Sequence, residues 1–321
     1  MNWPAERTCP FDESSSPRVA ECWERSRGLM TRLRNELFSA GVDRIVRSIY
    51  VSGSLGRMEA VASSDCDLVV ILSEADRAAA GDDVMETVFD CIARTGFQPP
   101  KRGGIFGSPT SFEELLDDAT AGKIDEDAGV FGKRIQALLD SQPLLHPDEF
   151  EALQLAILTR YASAPVADTG AFLLGWLVDD LVRYWRSLCA RTRWLCHDDV
   201  IQWRCLNAKL RHSRMLLCAG LFRLLLDVRS SDDPVRALLP QLKNVPLERV
   251  ARMGSRERDE LVRGYEVFMA AMSNGLAKAL RDDHSFDNLV SNGVALSEAI
   301  GQACSEQYGD AMFGGWFGEL R

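Results

Sequence analysis

Val51-Ser-Gly-Ser-Leu-Gly-Arg-Met-Glu-Ala-Val-Ala-Ser-Ser-Asp-Cys-Asp-Leu-Val-Val-Ile-Leu72 is the stretch whose reading decides the fold. Gly53-Ser54 ends one run rich in Ile, Val and Tyr, residues 44–52, and Asp65-Cys66-Asp67 opens another, residues 67–72. Such runs read as strands, and the second, apolar past its first residue, is expected to be buried on both faces. Along an extended strand residues i and i+2 share a face, so Asp65 and Asp67 present two carboxylates side by side. That pair is costly unless a cation sits between them. Two hard oxygens beside open water positions suit magnesium, or manganese in its place, which shares phosphate oxygens with a substrate. Gly53 lets the backbone come close to a phosphate, Ser54 offers a hydroxyl and an amide, and residues 55–62 are expected to start a helix aimed at it.

Working outward, residues 19–40 read as a helix ended by Gly41, and residues 82–94 as an amphipathic helix with Val84, Val88, Cys91 and Ile92 at helical spacing. A short strand is expected at residues 103–107. Past Pro109 the pattern becomes helical, over residues 112–118, 127–140, 147–162, 168–196 and 198–228. Mixed α/β sequence thus gives way to all-helix. The expected fold class is α+β, a small mixed sheet with flanking helices followed by an all-helical domain. Pro143 and Pro147 interrupt helical sequence, which puts the boundary near residues 141–147 and the domains at 1–143 and 144–321.

The quoted stretch resembles the glycine-serine, spacer, Asp-x-Asp signature of the DNA polymerase beta superfamily of nucleotidyltransferases. The nearest form is Gly-Ser-x-Gly-Arg-x-Glu followed by Ser-Asp-x-Asp-Leu, seen in the uridylyltransferase acting on the PII signalling protein and in related bacterial nucleotidyltransferase domains. Gly53, Ser54, Gly56, Arg57, Glu59, Ser64, Asp65, Asp67 and Leu68 match it in order. The resemblance implies transfer of a nucleoside monophosphate from a triphosphate, ATP or UTP first, to an acceptor hydroxyl by two-metal catalysis. It implies catalytic, metal-holding roles for Asp65 and Asp67, and nucleotide binding by Gly53, Ser54, Arg57 and Ser64. Superfamily members add a third carboxylate from a later strand, but residues 101–108 contain no acid. Glu113, Asp125 and Asp127 are the candidates, in no defensible order, and each taken singly reads more simply as a solvated charge.

A second signal is Trp203-Arg-Cys-Leu-Asn-Ala-Lys-Leu-Arg-His-Ser-Arg214. At helical spacing Arg204, Asn207, Arg211 and Arg214 share a face beside an apolar stripe of Leu206, Leu210 and Leu217. Arginine grips phosphate bidentately and Lys209 supplies a point charge, so Asn207, Lys209, Arg211 and Arg214 are expected nucleotide ligands. The bland alternative is a solvated basic face. The segment is similar to one in the same nucleotidyltransferase group, extending the resemblance over roughly residues 45–220. Asp179 and Asp180 are expected to form an ion pair with Arg183.

The net charge of -10 disfavours sequence-blind binding to nucleic acid. Residues 183–214 nevertheless carry eight Lys or Arg against two Asp, a basic island suited to a small polyanion such as a nucleoside triphosphate. The nine cysteines, without a CxxC pair, argue against a disulfide framework or a structural zinc. No apolar stretch nears the roughly 20 residues of a membrane span, and residues 1–12 lack a secretory apolar core, so a cytoplasmic protein is expected. The acceptor is expected to be a protein side chain or a small hydroxylated molecule. Two rival readings stand beside the enzyme. One is a non-catalytic nucleotide sensor, and the other a toxin-antitoxin-type nucleotidyltransferase acting on transfer RNA or a partner protein.

Overall fold

The computed structural model describes residues 2–117, 119, 121–163, 174–197, 199–252 and 255–308. In chain order its main elements are α1 (Pro17–Ser39), β1 (Ser48–Val51), α2 (Gly53–Gly56), β2 (Leu68–Ile71), α3 (Glu74–Arg94), α4 (Phe112–Leu115), α5 (Ala128–Leu139), β3 (Gln142–Leu145) and α6 (Pro147–Ala162). There follow α7 (Gly175–Trp194), α8 (Val200–Lys209), a π turn (Leu210–Arg214), α9 (Met215–Val228), α10 (Pro234–Leu238), α11 (Pro246–Val250), α12 (Ser255–Ser273), α13 (Leu276–Ala279) and α14 (Asp283–Tyr308). The class is the expected one, a small sheet with flanking helices and then helices alone. The chain separates into two compact units, Met1–Thr8 with Cys22–Leu177 and Ser230–Val245, and Cys9–Glu21 with Val178–Arg229 and Pro246–Arg321. This division is discontinuous in sequence and is not a single cut at 143/144.

In the first unit β1 lies between β2 and β3 and is antiparallel to both. The register pairs Ser48 with Ile71 and Val51 with Leu68. Every residue of β1 and β2 is buried, as the apolar composition of the second run requires. Tyr50 sets its ring at a tilt against Phe150 of α6, 4.8 Å between centroids, and donates its hydroxyl to the Lys133 carbonyl of α5. These contacts fix the helical layer against one face of β1.

Two local expectations fail. Residues 103–107 form turns, and the neighbour of β2 is instead Thr110, joined to Ile71 by a parallel bridge. Six glycines or prolines in residues 96–107 leave no run long enough for a strand. Conversely, the supposed boundary at 141–147 contains β3, whose sequence is Gln-Pro-Leu-Leu. Proline is admissible there because β3 is the sheet's edge.

In the second unit every residue of α9 except Asp227 is buried, as befits a helix apolar on nearly all sides. It packs on α11, and Gly220 permits the approach, since a Cβ there would lie 3.2 Å from the Pro246 carbonyl oxygen. The π turn continues α8 into α9, and its His212 stacks flat on Phe268 of α12 at 4.6 Å. The expected helix from residue 168 is described from Gly175 onward, residues 164–173 lying outside the described ones. Asp180 and Arg183 form the expected ion pair at 3.2 Å. All nine cysteines are free thiols.

Candidate active site

The ladder between β1 and β2 runs one residue past the strands, because the Ser52 N–H donates to the Asp67 carbonyl at 2.9 Å. Pairing stops at Gly53, where φ of 66° turns the chain into the left-handed region. Glycine is required there twice over. The conformation is strained for any L side chain, and an added Cβ would fall 2.3 Å from Oδ2 of Asp67. The Asp67 carboxylate therefore rests directly against the Gly53 turn.

Cys66, between the two acids, is fully buried, while Asp65 is exposed and Asp67 half-buried. The alternation of an extended chain thus carries Asp65 and Asp67 away from the core together. Burial pushes the Cys66 thiol well above its ordinary range, and the negative charges of Asp67 and then Asp65 push it further. The thiol is a packing group, uncharged at any physiological pH.

The residues after the turn do less than the sequence promised. The helix expected over 55–62 is the single turn α2, and Met58 then adopts φ of 63°. A one-turn helix has little macrodipole, so what α2 offers a phosphate is Ser54. Its Oγ is buried and has no hydrogen-bond partner among the described residues, a rare state for a buried hydroxyl.

Arg57, expected among the nucleotide ligands, is engaged in the scaffold. Its Nε donates to Glu59 at 2.8 Å and its NH1 to Oδ2 of Asp140 at 2.7 Å, with Asp140 only 2 % exposed. The other oxygen of Asp140 accepts the Ser52 hydroxyl at 2.6 Å. The Gln142 side-chain amide donates to the Gly56 carbonyl. Gly56 itself passes so close to β3's entry that a Cβ there would fall 2.2 Å from the Asp140 carbonyl oxygen. Ser64 stabilises the loop before Asp65, accepting from the Val61 N–H at 3.0 Å.

Asp140 is the residue that sequence reasoning missed. It ends α5 and precedes the unrecognised β3, so nothing in its local sequence tied it to the Gly53 turn. Of the acids that were considered, Glu113 lies 3.9 Å from Arg47 and Asp127 caps α5 by accepting from Gly129 and Val130. Asp125 is exposed. Among the described residues no three His, Cys, Asp or Glu side chains gather as a metal cluster.

Asn207, Lys209, Arg211 and Arg214 stand in the second unit, on α8 and the π turn. Asn207 accepts from the Arg211 Nε at 2.9 Å, as an i, i+4 pair should. Beyond Lys209 the π turn breaks the regular spacing on which the four-residue basic face was predicted. Arg204 of that face points inward to the Leu280 carbonyl and lies over the Phe286 ring at 5.0 Å.

Residues 18–114 match the family described as "Putative nucleotidyltransferase DUF294". The match spans the Gly53 turn, Ser54, Asp65 and Asp67, and stops before Lys133, Asp140 and the helices α8 and α9. No curated protein matches the chain. No described helix is long and apolar enough to cross a membrane.

Proposed function

We propose, on the premise that residues 18–114 are a nucleotidyltransferase-like domain, that the chain transfers a nucleoside monophosphate from ATP or UTP to a hydroxyl of a protein or small molecule. The observation that carries this reading is the Asp67 carboxylate standing against the Gly53 turn, with Asp65 exposed two residues before it. The donor set fits a divalent ion of the magnesium type. Two hard carboxylates leave several positions for water and phosphate oxygens, and the buried Ser54 hydroxyl next to the turn lacks any partner among the described residues. Bound there, magnesium or manganese would neutralise phosphate charge and lower the pKa of an attacking hydroxyl.

The chain's own residues divide the remaining work. Gly53 leaves room for the Asp67 carboxylate to sit against the backbone, and Ser54 donates a hydrogen bond to a phosphate. Asp65 and Asp67 hold the cation. Arg57 is a positioning residue, pinning α2 to Asp140 and Glu59 so that Ser54 and Gly53 keep their places. The Asp140 carboxylate, with both oxygens already accepting hydrogen bonds, is not poised to take a proton from the acceptor.

That last observation favours one second reading, nucleotide binding without turnover. Incubation with magnesium, labelled nucleoside triphosphates and cell extract separates the two. Transfer predicts label in an acceptor and pyrophosphate release, both lost in Asp65→Ala/Asp67→Ala, whose fold persists because two crowded negative charges have gone. Binding without release in the wild type selects the sensor, and equal labelling by the double variant refutes the site.

A further inference from the structure

The first unit contains a cavity of about 460 Å³ whose lining includes Arg77, Asp82, Ser108, Glu114, Asp127 and Lys133, and none of Gly53, Ser54, Asp65 or Asp67. Lys133 is its unusual member. The side chain rises from the middle of α5 and the residue is 5 % exposed. Its ammonium makes one hydrogen bond, to the neutral Ser108 carbonyl at 2.9 Å. Glu114 and Asp127 attract it electrostatically, but neither forms an ion pair with it within 4.0 Å among the described residues.

Both acids are already committed. Glu114 accepts from Arg77 at 3.0 Å and from the Thr110 hydroxyl, and Asp127 accepts the two α5 amides. A buried ammonium with two of its three donors unmet by protein is expensive, since burial of charge is tolerated when it is paired and hydrogen-bonded. Burial accordingly holds the Lys133 amine below its ordinary range. Core packing alone gives no reason for lysine here, because its four-carbon stem would pack as well without the charge.

We propose that this cavity binds the anionic group, a carboxylate or a phosphate, of a small polar molecule, with the Lys133 ammonium as its counter-charge. The inference does not rest on nucleotidyl transfer, and its test reads binding alone. The probes are inorganic phosphate and acetate, each compared with chloride at equal ionic strength, on the full chain. Acetylation of Lys133 by an amine-reactive ester, followed by mass spectrometry, should slow roughly tenfold at an anion concentration about ten times its dissociation constant. Exposed Lys101 should be unaffected. Protection by phosphate alone identifies a phosphate ligand, and protection by acetate alone a carboxylate ligand. In parallel the anion should raise the melting temperature of the wild type and not of Lys133→Met, which keeps the apolar stem. Unchanged Lys133 acetylation with both anions overturns the proposal, as does an undiminished thermal response in Lys133→Met.

Discussion

At the scale of single residues, Gly53 and Asp67 form one device. A Cβ at 53 would occupy the place of Oδ2 of Asp67, so Gly53→Ala should both strain the backbone and displace the carboxylate. The control is Gly41, also left-handed at φ of 72° but with nothing within 4 Å of an added Cβ. We expect each alanine to cost about 1–2 kcal/mol of stability, with transfer falling at least roughly tenfold in Gly53→Ala alone. Denaturation curves and initial rates on both variants check this, and equal rates would separate Asp67 from the turn. Arg57 and Asp140 form the second device. Asp140→Ala removes a carboxylate that holds the half-buried Arg57 guanidinium and should cost about 1–3 kcal/mol, read as a lowered denaturation midpoint. The turn at Gly53 was legible from the order of the residues alone. Asp140 was not, because its partner Arg57 lies far off in sequence and only the fold brings them within 2.7 Å.

Elements show the same limit in another form. β1, β2 and most helices follow from composition and periodicity, because each carries its own signal. β3 does not, since Gln-Pro-Leu-Leu is too short to alternate and contains a proline. It becomes a strand because β1 offers it an open edge. Its first residue then acts on α2, the Gln142 amide meeting the Gly56 carbonyl while its oxygen accepts from the Ala5 N–H at 3.2 Å. Gln142→Leu keeps the volume and strands both backbone groups, so a loss of about 1–3 kcal/mol is expected. If α2 matters to transfer, the rate should fall with it, and rescue by Gln142→Asn should be poor because the shorter amide does not reach. An unchanged denaturation midpoint would show that strand pairing alone holds the turn. The π turn is the opposite case, a departure from regular spacing that no residue between Leu210 and Arg214 announces.

Over the whole molecule, the two units carry different kinds of chemistry, carboxylates at a glycine turn in one and a buried histidine in the other. Burial lowers the His212 pKa below its ordinary 6.5, opposed by hydrogen bonds to Ala208 and Asn292 and reinforced by Arg211. The unfolded chain therefore binds more protons than the folded one between the lowered value and 6.5. Stability is complete above that range and is lost as pH falls into it, by up to about 1.4 kcal/mol per pH unit. His212→Leu should flatten the decline between pH 7 and 5.5 in chemical denaturation, and an unaltered slope would assign the decline to other groups. The sequence by itself determined the α+β class and the glycine turn that ends the first strand, because strand composition and glycine's conformational freedom are local properties. Only the tertiary structure decided that Arg57 is a brace, that the distant Asp140 is an anchor for it, and that Lys133 lines a cavity with no ion pair within 4.0 Å among the described residues. Those outcomes depend on which distant groups share a low-dielectric interior, and that is fixed by packing and not by order along the chain.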